Sequence, residues 1–301
     1  MTTKKFTISQ CKDSHSISFN AMASPCEVIV QSTDAKLVGA LAQVICTEVW
    51  RIEGKYNRYD PKSVCSMINT NAGQTVAIDE ETYLLLDFAE QCYQLSDGLF
   101  DISSGCLRKV WSFDASDNIP NQADVKKQLK SVGWRKINLN RQSITLQKNM
   151  EIDFGGIGKE YAVDRTIRLA KQTTQKPVLV NLGGDIAVTG SRHNNTPWQV
   201  AIERPDVDIG DEKSADMIVS LYSGALATSG DSRRYLLNGG QRYGHVLNAK
   251  TGWPITHAPR SVTVVAPQCI QAGILATMAL LQGHQAEQFL SAQDVKFWAR
   301  R

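Results

Sequence analysis

The sequence predicts an α+β fold in which strands joined as hairpins pack against long helices. Segments with apolar residues at helical spacing, such as the one after Asp34, alternate along the chain with short strand patterns. Residues 136–148 alternate around a polar turn, which favours antiparallel pairing over a doubly wound parallel sheet. With 42% hydrophobic and 21% charged residues over 301 positions, the chain is globular and can bury a substantial core.

The first third of the chain is predicted to hold one strand and two long helices. Residues 1–20 show no clear pattern and are interpreted as a loose lead-in, after which residues 26–32 alternate as a strand. Asp34 and Asp79 each stand where the following helix needs an N-cap. The apolar positions assigned to the buried helix faces are Leu41, Val44, Ile45, Val49 and Ile52 in the first helix, and Leu84, Leu85, Phe88, Cys92 and Leu95 in the second.

The rest of the chain is predicted to alternate between short strands and helices. A polar insertion at 114–131 contains a short helix, and the helix that follows residue 158 carries an apolar face. Inward positions on that helix are Val163, Ile167 and Ala170. Further strands are predicted at 198–202, 217–221 and 261–265, and a last helix at 268–282 ends at Gly283.

Charge and cysteine content exclude several classes of protein. The formal net charge of +3 is small and dispersed, which argues against a nucleic-acid partner and favours a small molecule or another protein. The seven cysteines are scattered and form no Cys-x-x-Cys pair, which argues against a disulfide framework or a zinc site. No signal peptide or membrane-spanning stretch is visible, so we expect a cytoplasmic protein of undetermined oligomeric state.

Two glycine-rich loops stand about twenty residues apart near the middle of the chain. They are DFGGIGK at 153–159 and VNLGGD at 180–185. Glycine turns let main-chain N–H groups approach a phosphate, a following helix N-terminus favours the anion, and Lys159 can add a cation. One such loop is more simply explained as a strand–helix turn that uses glycine for positive φ. Two loops, each with an aspartate, favour a nucleotide site.

His245 is the histidine whose surroundings suggest chemistry. It is predicted to lie on a short strand directly before the Gly/Pro turn at 252–254, downstream of a small-residue loop at 227–231. From this segment alone, a half-buried histidine bonded to the backbone is the simpler explanation. The remaining histidines lie in polar stretches and are expected to be exposed: His15, His193, His257 and His284.

The order of the motifs resembles that of the FAD:protein FMN transferase family (ApbE-type). Each motif is weak by itself, but together they cover about residues 20–283 in register. The motifs are Ala21-Met22, Tyr59 with Ser63 and Asn69, 97–101, 153–159, 183–185, 228–230, 245–248 and 250–252.

This resemblance implies a roll-like α+β fold, with FAD in an elongated cleft between two intertwined lobes of one flavin-transferase domain over 21–301. It also implies transfer of the FMN half of FAD to a Thr or Ser hydroxyl of an acceptor flavoprotein, such as a reductase subunit or domain. AMP would be released, with Mg²⁺ assisting at the pyrophosphate. His245 corresponds to the base that takes the hydroxyl proton. The FAD contacts carried over are Met22, Tyr59, Leu99, Phe100, Asp101, Asp153, Lys159, Ser229, Gly230, Val246 and Leu247, and the metal ligands are Gly156, through its carbonyl, and Thr277.

Gly273 is the main departure from the family pattern. The family carries an aspartate four residues before the threonine that corresponds to Thr277, so that carboxylate and hydroxyl share one helix face and hold Mg²⁺. A glycine there predicts weaker metal binding, because Mg²⁺ usually takes one or two carboxylates. Gly273→Asp is predicted to be tolerated by the helix and to rebuild the pair. Asn248-Ala249, where the family usually has Asp-Pro, is a smaller departure.

Three functions stay open at this point. The first is an FAD:protein FMN transferase. The second is an FAD-binding relative without transferase activity, which the glycine at position 273 favours. The third is an enzyme that uses water as the acceptor and hydrolyses FAD to FMN and AMP.

Overall fold

The structure is a computed structural model that describes residues 4–114, 116–203, 215–231 and 235–301, without the side chains of residues 215 and 216. The helices are α1 (Ala35–Tyr56), α2 (Val64–Thr70), α3 (Glu80–Leu95), α4 (Gln122–Leu129), α5 (Gly158–Thr173), α6 (Cys269–Leu281) and α7 (Ala286–Ser291). The strands are β1 (Phe6–Cys11), β2 (Ser14–Ala21), β3 (Ser24–Val30), β4 (Thr75–Ala77), β5 (Asn138–Asn140), β6 (Ser143–Thr145), β7 (Val178–Leu182), β8 (Asp185–Val188), β9 (Trp198–Glu203), β10 (Ala215–Leu221), β11 (Gly224–Gly230), β12 (Tyr235–Asn238), β13 (Gln241–Gly244), β14 (Ser261–Ala266) and β15 (Lys296–Arg300).

One large sheet organises the described part of the chain. Its strand order is β1-β2-β3-β7-β8-β11-β14-β15, and every neighbouring pair is antiparallel. Three small antiparallel sheets, β9 with β10, β12 with β13, and β4-β6-β5, accompany it. The prediction of an α+β fold with largely antiparallel sheets is therefore confirmed.

Both faces of the large sheet are covered. Along β7, Val180 joins the main core with α1, α5 and α6, whereas its neighbour Leu179 joins a second cluster with β9 and β10. Successive side chains of a strand point to opposite faces, so this alternation gives one helical layer and one strand layer. A third cluster, which includes Leu107, Val125 and Leu236, packs α4 against the β12–β13 hairpin.

The helix caps predicted from the sequence are confirmed. The carboxylate of Asp34 accepts hydrogen bonds from the amides of Lys36 and Leu37, and Asp79 accepts one from the amide of Thr82. The predicted hairpin is formed by β5 and β6, and the short helix of the polar insertion is α4. Three positions assigned to buried faces are wrong: Val44 is 39% exposed, Leu84 55% and Leu95 78%.

The interpretation of residues 1–20 as a loose lead-in is also wrong for residues 6–20, while residues 1–3 lie outside the described ranges. Residues 6–11 and 14–21 form β1 and β2, and β2 buries Ile17 and Phe19 in the main core. β1 is an edge strand with almost no buried side chain, so its sequence carries no strong alternation. His15, expected to be exposed, is buried on β2, and its Nδ1 lies 2.7 Å from the carbonyl oxygen of Ser32.

Two further findings concern cysteines and membrane spans. All seven cysteines lie among the described residues and are free thiols. Within the ranges given above, no helix is both long and apolar enough to cross a bilayer.

The corrected N-terminus gives a stability prediction. Ile17 is 0% exposed and pairs across the β1–β2 ladder with Ile8, which is 40% exposed. We expect Ile17→Ala to lower the free energy of unfolding by about 2–5 kcal/mol, as for other buried aliphatic truncations, and Ile8→Ala to lower it by less than about 1 kcal/mol. Urea unfolding of both variants checks this. If Ile17→Ala unfolded like the wild type, the segment would be a loose lead-in after all.

Candidate functional site

The two predicted glycine loops use glycine for different reasons. In the second loop, Gly183 and Gly184 have φ of 63° and 98°, a region that favours glycine. In the first loop, neither Gly155 nor Gly156 has a positive φ. A Cβ at Gly156 would lie only 3.1 Å from Cε2 of Phe100, so the first loop needs glycine because an aromatic ring packs on it. The simpler explanation by positive φ thus holds for one loop only.

Lys159 joins the two loops. It lies in the first turn of α5, and its Nζ is 2.9 Å from Oδ2 of Asp185 and 3.3 Å from the carbonyl oxygen of Gly183. Burial alone would lower the pKa of Lys159, but the carboxylates of Asp185 and Glu160 raise it above its ordinary value. The lysine is therefore a fixed cation between the loops, with part of its charge already balanced by Asp185, and its role beside a bound phosphate stays a prediction.

Glu160 is a buried acid that the sequence analysis did not single out. It is 9% exposed, and its Oε2 has no hydrogen-bond partner among the residues that the structure describes. Burial, together with the nearby carboxylate of Asp185, raises the pKa of Glu160 to about 8, although Lys159 opposes the shift. Burial also raises the pKa of Asp185, and Lys159 again opposes it. Lys159 therefore favours the charged form of both buried carboxyl groups.

Contacts between α5 and α6 fix the register of these two helices. The carboxylate of Asp164 on α5 accepts hydrogen bonds from the amides of Cys269 (2.8 Å) and Ile270 (2.9 Å). Asp164 therefore caps the start of α6. Glu160, one turn before Asp164 on α5, lies against Gly273, which is one turn after Cys269 on α6. The two helices thus run antiparallel, and the same register leads from the start of α5 towards Thr277.

A side chain at Gly273 would meet the side chain of Glu160 in this arrangement. A Cβ built there would lie 2.5 Å from Cγ and 2.7 Å from Oε1 of Glu160. The substitution Gly273→Asp therefore requires the side chain of Glu160 to move, and its tolerance by the helix stays a prediction. That expectation considered helix propensity alone, and the obstacle is a tertiary contact.

Thr277 and Ser229, predicted to serve the metal and FAD respectively, are brought together. The Thr277 hydroxyl donates to Oγ of Ser229 at 3.3 Å, from α6 to the end of β11. Gly230 follows at a close contact between strands, where a Cβ would lie 2.5 Å from the carbonyl oxygen of Arg260 on the β14 side. The prediction of a small-residue loop at 227–231 is therefore wrong for residues 227–230, which belong to β11, and the end of this strand adjoins the C-terminal half of α6.

His245 lies in a bend directly after β13 and not on a strand as predicted. It is half-buried, and its ring centroid is 6.4 Å from that of Phe113 in an edge-on arrangement. The preceding strand, β13, is joined to the end of β11, because Nε of Arg242 donates at 2.9 Å to Oδ2 of Asp231, the residue after β11. Val246 packs on the main core and Leu247 on the α4 cluster, so the segment around His245 is held on both sides.

Met22 occupies a strained turn beside the second glycine loop. Met22 and Ala23 have φ of 53° and 57° in the two-residue turn between β2 and β3. Two successive left-handed residues other than glycine are costly and persist only where the surroundings enforce them. The Met22 amide donates to Oε1 of Glu53 at 2.6 Å, and Ser24 packs so closely on Gly183 that a Cβ there would lie 2.6 Å away.

Tyr59 and Asp153 are linked through Arg58, a residue that the sequence analysis missed. Nη1 of Arg58 lies 2.8 Å from Oδ2 of Asp153, and the guanidinium carbon is 5.1 Å from the Tyr59 ring centroid. Burial would lower the pKa of Arg58, but Asp153 and Tyr59 together leave it raised. The Tyr59 ring is 73% exposed, so it offers an open aromatic face next to the first glycine loop.

Leu99, Phe100 and Asp101 lie next to the same loop but differ in availability. Phe100 is buried against Gly156, and Leu99 is half-buried against the main core. The Asp101 carboxylate accepts hydrogen bonds from the amide of Ser103 and the amide of Trp134, both at 2.8 Å. Its observed contacts therefore hold the chain in place, and its predicted role in FAD binding stays a prediction.

Two cavities lie away from most of these residues. One of about 580 Å³ lies between α1, α3 and α5 and is lined by Arg51, Phe88 and Tyr161, among others. A second, of about 280 Å³, includes Asp97 and Gly98 in its lining. Neither brings together the glycine loops and His245, so the FAD cleft between lobes stays a prediction.

The fold described above is that of a known class of proteins, the ApbE family. The sequence model of that family matches residues 22–298, so the chain belongs to it.

Curated relatives and solved structures agree with this assignment. The FAD:protein FMN transferase of Haemophilus influenzae is 29% identical over 77% of this chain and 69% of its own length. That of Chlamydia pneumoniae is 29% identical over 90% of this chain and 83% of its own length. The crystal structure of the ApbE protein from Thermotoga maritima superposes with a TM-score of 0.84 at 26% identity, covering 98% of this chain and 94% of its own.

The buried carboxyl groups predict an unusual dependence of stability on pH. Because the pKa of Glu160 is raised from 4.5 to about 8, the folded state keeps a proton that the unfolded chain releases. This stabilisation is complete below about pH 4.5 and is lost as the pH rises to about 8. Between pH 5 and pH 8 in chelator-treated buffer, we expect the wild type to lose on the order of a few kcal/mol of unfolding free energy, and Glu160→Gln to lose less.

Urea unfolding at both pH values measures this difference. The matched control is Glu80→Gln, whose side chain is 57% exposed, and it should follow the wild type. Equal pH slopes in wild type and Glu160→Gln would show that Glu160 carries no proton in the folded state.

Proposed function

We propose that this protein transfers the FMN half of FAD to a hydroxyl of an acceptor flavoprotein and releases AMP. The observation that carries the proposal is the junction of the two glycine loops through Lys159, in a chain that matches the ApbE family over residues 22–298. Relatives in that family are named FAD:protein FMN transferases. The loops, the lysine and the helix N-terminus together suit the pyrophosphate of FAD.

In this proposal the protein mainly positions the reactants and balances their charge. Loop amides and Lys159 bind the pyrophosphate, and Tyr59 and Met22 contact the flavin or adenine portions. His245 takes the proton of a Thr or Ser hydroxyl of the acceptor, and the resulting oxygen forms a bond to the FMN phosphorus. The bond from that phosphorus to the bridging oxygen breaks, and AMP leaves with the electron pair. Such displacements need positioning and electrostatic stabilisation more than covalent chemistry.

A divalent cation fits the residues that are present. The family resemblance places Mg²⁺ at the Gly156 carbonyl and the Thr277 hydroxyl, where the cation would neutralise charge on the pyrophosphate. The structure supports such a site because a buried carboxylate oxygen of Glu160 lacks a partner within the described residues. Hard oxygen ligands of this kind suit Mg²⁺.

Two other functions compete with transfer. The glycine at position 273, where the family carries its metal-binding aspartate, favours an FAD-binding relative without transferase activity. Hydrolysis of FAD to FMN and AMP would use the same site with water as the acceptor. The acceptor itself is proposed to be a reductase subunit or domain, and seven free cysteines support a reducing, cytoplasmic compartment.

AMP release separates these functions. The full chain is incubated with FAD and Mg²⁺, with and without a family acceptor domain that carries a target threonine. We expect AMP and covalently bound flavin to form in equal amounts and only with the acceptor. AMP without an acceptor indicates hydrolysis, and bound FAD with no AMP in either sample indicates a non-catalytic flavin-binding protein.

His245→Ala tests the assignment of the base. We expect transfer to fall by about a hundredfold or more, as is typical when a general base is lost, while FAD binding is retained. Stopped assays of covalent flavin and a flavin-fluorescence titration measure the two quantities. The control is His284→Ala, since His284 is an exposed histidine in the short helical turn after α6. Full transfer activity in His245→Ala would reassign His245 to a structural role.

A further inference from the structure

We propose that Glu160 supplies the carboxylate of the divalent-cation site, in the space that a side chain at position 273 would otherwise occupy. This inference rests on the proposed function, because it assigns one more residue to the cation that assists at the FAD pyrophosphate. It concerns a residue that neither the motif pattern nor the family resemblance identified.

The geometry of the α5–α6 contact is the first support. Glu160 reaches across from α5 to the backbone of Gly273, so that a Cβ at Gly273 would lie 2.5 Å from Cγ, 2.7 Å from Oε1 and 3.0 Å from Cδ of Glu160. Cγ is the methylene next to the carboxyl group, and Cδ and Oε1 belong to that group. The outer part of the Glu160 side chain therefore occupies the space that a side chain at position 273 would enter.

The register of the two helices relates Glu160 to the predicted metal ligand Thr277. Asp164 caps residues 269 and 270, and Glu160 faces Gly273, so each turn back along α5 corresponds to one turn forward along α6. Thr277 is one further turn along the same face of α6. A carboxylate beside Gly273 is thus presented on the helix face that also carries the Thr277 hydroxyl.

The partners of Glu160 provide an independent observation. Its Oε2 is fully enclosed and makes no hydrogen bond to any residue within the described ranges. A buried carboxylate oxygen without a partner is costly, and a cation or ordered solvent is the usual solution. The nearby Lys159 does not supply that partner, because its Nζ is directed at Asp185 (2.9 Å) and the carbonyl of Gly183 (3.3 Å).

The donor atoms nearby suit a hard divalent cation. Glu160 and Asp185 are both buried acids, and Lys159 interacts with both. The available donors are oxygen atoms of a carboxylate, a hydroxyl and a carbonyl. This donor set suits Mg²⁺ or Mn²⁺ and does not suit zinc, which prefers nitrogen and sulfur ligands.

Metal binding to the full chain tests the proposal directly. Mn²⁺ is the probe, and its unbound fraction is followed by electron paramagnetic resonance, in the absence of FAD and again at saturating FAD. We compare the wild type with Glu160→Gln, with the double variant Glu160→Ala/Gly273→Asp, and with the exposed-site control Glu80→Gln. Circular dichroism establishes that each variant is folded.

We expect Glu160→Gln to weaken Mn²⁺ binding by at least about tenfold, the lower end of the effect of changing groups around a metal. The double variant moves the carboxylate from α5 to α6 and removes the crowding. Its affinity for Mn²⁺ should therefore return to within about threefold of that of the wild type. Glu80→Gln should bind as the wild type does.

Three results would overturn the inference. They are wild-type affinity in Glu160→Gln, no Mn²⁺ binding by the wild type with FAD bound, and a folded double variant that binds as weakly as Glu160→Gln. Failure of the proposed function looks different, since it would appear as absence of FAD binding or AMP release while the effect of Glu160→Gln on Mn²⁺ without FAD persists.

Discussion

The site depends on the close antiparallel packing of α5 against α6. In that packing, the side chain of Glu160 fills the space above Gly273. Asp164, one turn later on α5, caps the start of α6 and fixes the register. The first glycine loop leads into α5, and Thr277 contacts Ser229 at the end of β11. One helix contact therefore connects both ends of the candidate site.

Charge is the second constraint on this region. Lys159 leaves the same helix turn as Glu160 and joins the two glycine loops through Asp185 and Gly183. Such a lysine is held in place before any ligand arrives, and preorganised charge is what stabilises a developing anion most effectively. In the proposed reaction the lysine and a cation beside Glu160 would share the pyrophosphate, which makes the glycine at position 273 compatible with a working transferase.

The sequence predicted the elements whose signals are local. Asp34 and Asp79 cap their helices because a cap is a contact within one turn, and the strands and hairpins followed from alternation. β1 was missed because an edge strand has no buried face, and Leu84 was misplaced because periodicity alone does not define the width of a buried face. Glu160 stands three residues before the inward Val163, so an acid on an apolar helix face was the available signal. Its contact with Gly273 joins distant parts of the chain and has no local signature.

In the proposed site, Glu160 on α5 holds the cation, where the family resemblance implies a residue on α6. The most direct measurement is a crystal structure of the wild-type protein with FAD and Mn²⁺, with diffraction data collected at the manganese absorption edge. We expect an anomalous difference peak within bonding distance of a Glu160 carboxylate oxygen and beside the pyrophosphate. A peak at the pyrophosphate with Glu160 outside the coordination sphere of the metal would contradict the role proposed for Glu160.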